Sequence, residues 1–202
     1  MSQVRDFDVV ILGGGMTGLT LAHHIASLNA AQPANQRQTL VVEAREAYLR
    51  DKTWCYWQHA NTPFDAAITH QWSQWSVSWD GKTQVSRARI PYVRVDSGRF
   101  YDIARREIDA SESVTLQLGE KAKSVSAGRT EVEIIGESDV WRANTVFDTR
   151  PAHLPEDILL QHFVGWEIET EADVFDPTTV TLMDFVGDAE DIHFLYFCLL
   201  YT

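Results

Sequence analysis

The chain has 202 residues, 45% of them hydrophobic, which suffices for one good core or two small ones. Its 29 acidic residues outnumber 17 basic ones, giving a formal charge of −12, and with no basic stripe this excludes a nucleic-acid partner, whose phosphates need clustered Lys and Arg. Cys55 and Cys198 stand far apart with no CxxC, so no disulfide framework and no metal site is expected, and the default setting is a reducing cytoplasm.

The N-terminal apolar run follows Asp6 and Asp8 and breaks at Gly13, which fits neither a signal peptide nor a membrane span. Val9, Val10, Ile11 and Leu12 instead predict a buried parallel strand. A helix is expected over Leu19 to Leu28, turning Leu19, Leu21, Ala22, Ile25, Ala26 and Leu28 toward the sheet. Between them Gly13, Gly15 and Gly18 form GxGxxG. The first glycine permits a tight turn, the second lets a pyrophosphate approach the backbone, and the third lets helix and strand pack closely. Gly14 and Thr17 lie in the same turn and join the cofactor-binding candidates. The diphosphate would rest on the positive N-terminus of the helix. A second apolar run, Thr39 to Val42, ends in Glu43, and an acidic residue about 20 positions or more past the glycines suits the adenosine ribose. His23 and His24 point about 100° apart on a helix, cannot share a metal, and read as solvated or helix-edge residues.

Trp54, Tyr56, Trp57, Trp72, Trp75 and Trp79 crowd the next stretch with little clean periodicity, as core packing or as the wall of a bulky apolar site. A helix entered near Asp96 or Ser97 buries Phe100, Ile103, Ala104 and Ile108. Arg94 before it suits a cofactor contact or a surface ion pair with Asp96 or Asp102. From Val114 the text turns strand-like. Alternation over Thr130 to Ile135 suggests an antiparallel meander inserted before one last buried strand, Thr145 to Phe147, ending at Asp148. A carboxylate there sits at the edge where open α/β sheets bind ligands, or caps the next turn. Pro151 and Pro155 mark a boundary, and FVGWEIE, VTLMDF and IHFLYF read as strands of a second unit.

DVVILGGGMTGLTLA, DKTWCYW (Asp51 to Trp57), VFDTRP (Val146 to Pro151), FVGWE (Phe163 to Glu167), FDP (Phe175 to Pro177) and LMDF (Leu182 to Phe185), in this order, resemble the lycopene cyclase family. The resemblance implies an α/β fold: a glutathione-reductase-like FAD-binding Rossmann domain with an inserted β-meander, plus part of a β-rich substrate domain. On this reading residues 1–60 and 97–150 form the first domain and 61–96 and 151–202 the second. It further implies acid-catalysed, non-redox closure of a β-ionone ring on lycopene or a related acyclic carotenoid, with FAD held reduced by external NAD(P)H. An anionic reduced flavin would stabilise the carbocation. The cofactor residues implied are Gly13, Gly14, Gly15, Thr17, Gly18, Glu43 and Asp148. Asp184 and then Glu167 are the carboxylates expected near the substrate.

A carotenoid substrate implies peripheral contact with the cytoplasmic membrane face, through Ile158, Leu159 and Leu160 or the run from Phe194 to Leu200. The family continues into an FLEET-like segment that carries its acid glutamate, whereas here the text reads FLYFCLLYT and stops. The expectation is therefore a truncated or frame-shifted chain that binds flavin weakly and does not cyclise lycopene alone. The rival readings are a hydroxylase or prenyl reductase of the same architecture, or a non-catalytic carotenoid-binding remnant.

Overall fold

A computed structural model describes residues 4–198 apart from 156, 159, 161, 173 and 187–191. In chain order the elements are β1 (Val4–Leu12), α1 (Met16–Ala31), β2 (Thr39–Val42), β3 (Thr53–Trp57), β4 (Ile68–Trp79), β5 (Lys82–Asp96), α2 (Ser97–Asp109), β6 (Val114–Gln117), β7 (Ser124–Ala127), β8 (Val132–Ile135), β9 (Val140–Asp148), β10 (Thr179–Phe185) and β11 (Phe194–Phe197). Two compact units result: Met1–Asp51 with Ser97–Glu156, and Lys52–Asp96 with Asp157–Thr202.

The first unit is built on a six-stranded sheet in the order β6-β2-β1-β9-β8-β7. Strands β6, β2, β1 and β9 are parallel, and β8 and β7 continue antiparallel. Central parallel strands are covered on both faces and so favour unbroken apolar runs. Val10, Ile11 and Leu12 are accordingly buried beside Leu40, Val41 and Val42. Trp141 and Ile134 extend this core into the meander.

Strand β9 begins at Val140, not at Thr145, because its first residues serve both neighbours. Val140 to Ala143 pair with β8 on one side, while the whole strand follows β1 on the other, ending with Asp148 beside Leu12. The expected short strand is only its carboxyl half, and it is not buried: Thr145 and Phe147 are exposed and Val146 is half-buried.

Helix α1 buries Gly18, Leu19, Ala22, His23, Ala26 and Asn29, the spacing of one helical face. Leu28 falls off that face and is exposed, and His23 is buried rather than solvated. Asn29 has a definite task at the helix end. Its amide donates to the Arg37 carbonyl at 2.9 Å and to Ser113 Oγ at 2.8 Å, and its Oδ1 accepts the Arg37 N–H at 3.0 Å. Asn29→Ala would orphan these partners, and the expected loss is about 1–3 kcal/mol in urea unfolding. In α2 the buried residues are Ser97, Phe100, Tyr101, Ala104 and Ile108.

The second unit carries a five-stranded sheet in the order β11-β10-β4-β5-β3. Only the β10–β4 pair is parallel. The tryptophan-rich stretch thus resolves into strands β3 and β4, with Trp72 fully packed and Trp57 stacked near Tyr92 at 4.7 Å between ring centres. VTLMDF and the end of IHFLYF form β10 and β11. FVGWEIE, Phe163 to Glu169, does not form the expected strand, and its Trp166 is 86% exposed. A strand needs a hydrogen-bonded neighbour and a covered face, and among the described residues this run has neither. Leu159, Leu199 and Leu200 lie outside the described residues.

No helix among the described residues is long and apolar enough to cross a membrane. Nor do the described residues include a group of three or more His, Cys, Asp or Glu side chains able to hold a metal ion.

Candidate functional site

The carboxyl ends of β1, β2 and β9 meet the start of α1 in a cleft of about 350 Å³, lined in part by Gly13, Gly15, Glu43, Arg45, Lys121 and Arg150. Each glycine of the turn is there for its own reason. Gly13 has φ +96°, a left-handed conformation that favours glycine, and its N–H donates to the Val42 carbonyl at 2.8 Å. At Gly18 a methyl group would run into the Gly13 carbonyl oxygen and stand 3.0 Å from Thr149 Oγ1. Gly15 differs: a Cβ placed there would meet no atom within 4 Å. It is the residue just before α1, a helix with no side-chain cap at its N-terminus and no acid in its first turn. Among the described residues no side chain caps the first-turn amides, which together with the positive end of the helix dipole are open to an anion.

Gly14 is held from three sides. Its N–H donates to Glu43 Oε2 at 2.6 Å, and its carbonyl accepts from Tyr48 Oη at 2.8 Å and Arg45 Nη2 at 3.1 Å. A side chain at Gly14 would collide with Tyr48 Oη and press on Glu43. Glu43 closes β2 and is buried. Its Oε1 accepts the Arg45 amide at 2.9 Å and Arg45 Nε at 3.1 Å, and its Oε2 takes Arg45 Nη2 at 3.3 Å in addition to Gly14. Burial pushes the Glu43 carboxyl up, but the Arg45 side-chain hydrogen bond, the Arg45 and Gly14 amides and the Arg45 charge together hold it below its usual value.

Arg45 lies 4.8 Å from the Tyr48 ring centre and 5.4 Å from that of Tyr101, whose hydroxyl accepts Arg45 Nη1 at 3.1 Å. The two tyrosine rings stack at 4.4 Å. Burial raises the Tyr48 hydroxyl well above its ordinary value, so it stays a donor to Gly14. The cleft thus combines an open, amide-rich, positive floor with a fixed carboxylate on its wall. That is the donor and acceptor set for a diphosphate joined to a ribose.

The structure brings Gly13, Gly14, Gly15, Gly18 and Glu43 together in the first unit. Thr17 is exposed on the first turn of α1. Asp148 is not among the residues lining the cleft and is held by Arg150, with Arg150 Nε to Oδ1 at 2.8 Å and Nη2 to Oδ2 at 2.7 Å, and this hydrogen bonding holds its carboxyl below the usual range. Its successors line the cleft instead: Thr149 Oγ1 donates to the Leu12 and Gly13 carbonyls, 3.0 Å from each, and Arg150 Nη1 to that of Ala122 at 2.8 Å.

Asp184 and Glu167 belong to the second unit. Asp184 is half-buried on β10 beside Ser78 and Leu195, whereas Glu167 is exposed outside any strand. Arg94 is neither a surface ion pair nor a residue of the cleft: it lies on β5, 4% exposed. Sequence reasoning missed Arg45, Tyr48, Tyr101, Thr149 and Arg150. Arg45 stands two residues past Glu43, and Thr149 and Arg150 lie within the VFDTRP stretch, so these three had a visible signal, whereas Tyr48 and Tyr101 had none.

The family model described as "Lycopene cyclase protein" matches residues 8–200. No match was found among curated proteins. Among solved structures, the p-nitrophenol 4-monooxygenase PnpA of Pseudomonas putida DLL-E4 superposes with a TM-score of 0.58 at 12% identity, over 72% of this chain and 41% of that one. A geranylgeranyl bacteriochlorophyll reductase-like protein of Thermoplasma acidophilum gives 0.57 at 13% identity, over 90% and 51%. PqsL of Pseudomonas aeruginosa, described as a probable FAD-dependent monooxygenase, gives 0.53 at 15% identity, over 70% and 42%. The fold is thus the mixed α/β, Rossmann-like type that these proteins share, and the chain spans about half of their length or less.

Proposed function

The chain belongs to the lycopene cyclase protein family, and on that premise we propose that it is the FAD-binding part, with some of the substrate-facing part, of an enzyme that closes a β-ionone ring on lycopene. The observation that carries the cofactor half is the open space over Gly15 at the uncapped start of α1, with Glu43 fixed across the cleft. In this reading the first-turn amides of α1 and the Gly15 backbone hold the diphosphate, the remaining glycines shape the turn, and Glu43 takes the adenosine ribose. When bound and kept reduced by NAD(P)H, FAD supplies the negative charge that favours a ring-closing cation.

A proton delivered to a hydrocarbon must come from a group shielded from water. Half-buried Asp184 suits that role better than exposed Glu167. The exposed apolar side chains Ile158, Leu160, Phe163, Val164 and Trp166 fit a peripheral contact with the cytoplasmic face of the membrane that holds the carotenoid.

The test is titration of the folded chain with ADP and with FAD, followed by fluorescence or calorimetry. Both are expected to bind with similar affinity, because every contact invoked addresses the adenosine diphosphate half. Absence of ADP binding to a chain shown folded by circular dichroism would overturn the assignment. Any turnover of lycopene in liposomes with reduced FAD then separates a cyclase from a hydroxylase or reductase of the same fold by its NAD(P)H balance. Cyclisation consumes no NAD(P)H in stoichiometry with product, whereas the other two do.

A further inference from the structure

Cys55 and Cys198 are separated by 143 positions in sequence, yet their Sγ atoms lie 3.7 Å apart. Cys55 is the central residue of β3, and Cys198 directly follows β11. These are the two outer strands of the five-stranded order β11-β10-β4-β5-β3. The sheet of the second unit therefore curls until its opposite edges bring two thiols together. Both cysteines are only half-buried, within reach of a small solute.

We infer that Cys55 and Cys198 are a redox modification site, oxidised by hydrogen peroxide to a disulfide that fastens one edge of this sheet to the other. The Cys55 thiolate attacks one peroxide oxygen, the O–O bond breaks and hydroxide leaves, becoming water with the proton that the Cys55 thiol had released, and Cys55 is left as a sulfenic acid. The Cys198 sulfur then attacks the Cys55 sulfur, the S–O bond breaks, and a second water carries off the remaining proton. Two thiols lose two electrons and two protons, and one peroxide becomes two waters. Bond formation brings the two sulfurs from 3.7 Å to about 2.05 Å.

The surroundings divide the roles. Cys55 pairs across the ladder with Arg94, a buried guanidinium whose Nε finds no hydrogen-bond acceptor among the described residues. The hydrogen bond with Cys198 brings the Cys55 thiol down to about 7 against the opposing effect of burial, and Tyr196 and the Arg94 charge act in the same direction. Cys198 is raised correspondingly, first by its hydrogen bond to Cys55 and then by burial. Tyr92 is a further titratable group near the pair, raised first by burial. Near neutral pH Cys55 is thus the attacking thiolate and Cys198 the resolving thiol.

Treatment of the full chain with equimolar hydrogen peroxide should remove both thiols titratable with Ellman's reagent and lower the intact mass by two hydrogens. Peptide mapping should join the two cysteine peptides, and dithiothreitol should restore both thiols. In Cys198→Ala the same treatment should leave a dimedone-reactive sulfenic acid on Cys55, and iodoacetamide alkylation of Cys55 at pH 7 should slow several-fold. Oxygen additions on the two cysteines of the unmutated chain without a link, disulfides only between chains, or thiols left intact would each overturn the inference. Those outcomes need no variant, so a misfolded substitution does not shelter it.

Discussion

Gly18→Ala is expected to lower unfolding stability by at least about 3 kcal/mol, the upper end of overpacking penalties, while Gly15→Ala costs under about 1 kcal/mol. Nucleotide binding should report the reverse order. The Gly18 methyl would press on the Gly13 carbonyl oxygen, a backbone atom in the same turn. Neither the end of β1, locked by Gly13 N–H to Val42 O, nor α1 has slack to yield. At Gly15 no protein atom lies within 4 Å of the added carbon, and its backbone at φ −76° is open to any residue. The methyl would instead occupy the surface over which a diphosphate approaches. We expect ADP affinity to fall about tenfold, a change of about 1.4 kcal/mol, with the urea midpoint nearly unmoved. Equal effects on stability and binding at both positions would show that the turn is structural only.

The glycine turn and Glu43 were legible from sequence because strand, turn and helix follow within a few residues, so local chemistry fixes their relative placement. Helix α1 was legible in place and partly in phase: it runs from Met16 to Ala31 rather than from Leu19 to Leu28, and of the expected face Leu19, Ala22 and Ala26 are buried. Leu28 is as apolar as Leu19, yet Asn29 and His23 take the buried face, because polar residues may be buried where bonds such as those from Asn29 to Arg37 and Ser113 satisfy them. Strand β9 was cut short because a run that serves a parallel neighbour on one side and an antiparallel one on the other shows no single periodicity.

Asp148 takes the second of its two expected roles, since its Oδ1 accepts the Arg150 N–H at 3.1 Å and so caps the turn after β9. Its position at a strand end was right, but the partner that captures it, Arg150, stands two residues on and competes with any ligand. FVGWEIE carried strand-like composition without a described neighbour to pair with. The thiol pair was invisible altogether, since nothing in a sequence announces that the first and last strands of a sheet will meet.

Glu43→Gln should cost about 2–4 kcal/mol. This lies below the usual penalty for breaking a buried ion pair, because Arg45 keeps 31% of its side chain in solvent. The replacement is nearly isosteric, so the loss is electrostatic. Each carboxylate oxygen accepts two N–H groups: Arg45 N and Nε on one, Gly14 N and Arg45 Nη2 on the other. Either orientation of an amide turns its NH₂ toward one of these donor pairs.

The pH dependence fixes the sign. The Glu43 carboxyl is held below its ordinary value of 4.5, so it binds fewer protons folded than unfolded. Its contribution is fully present above about 4.5 and is lost as pH falls through the lower folded value. The stability gap between the unmutated chain and Glu43→Gln should therefore be constant from pH 7 to about 5 and narrow below about 4.5. A gap that widens on acidification would mean that the carboxylate is not the anionic partner of Arg45. Because all four acceptor positions are filled from within the chain, a ribose hydroxyl can bond to Glu43 only by displacing one of these N–H groups, and the three on Arg45 are the majority. Arg45→Met should then separate the two tasks of this carboxylate, lowering stability while leaving Glu43 more open to the nucleotide. An ADP affinity that falls in parallel with the stability of Arg45→Met would instead make the guanidinium itself part of the nucleotide site.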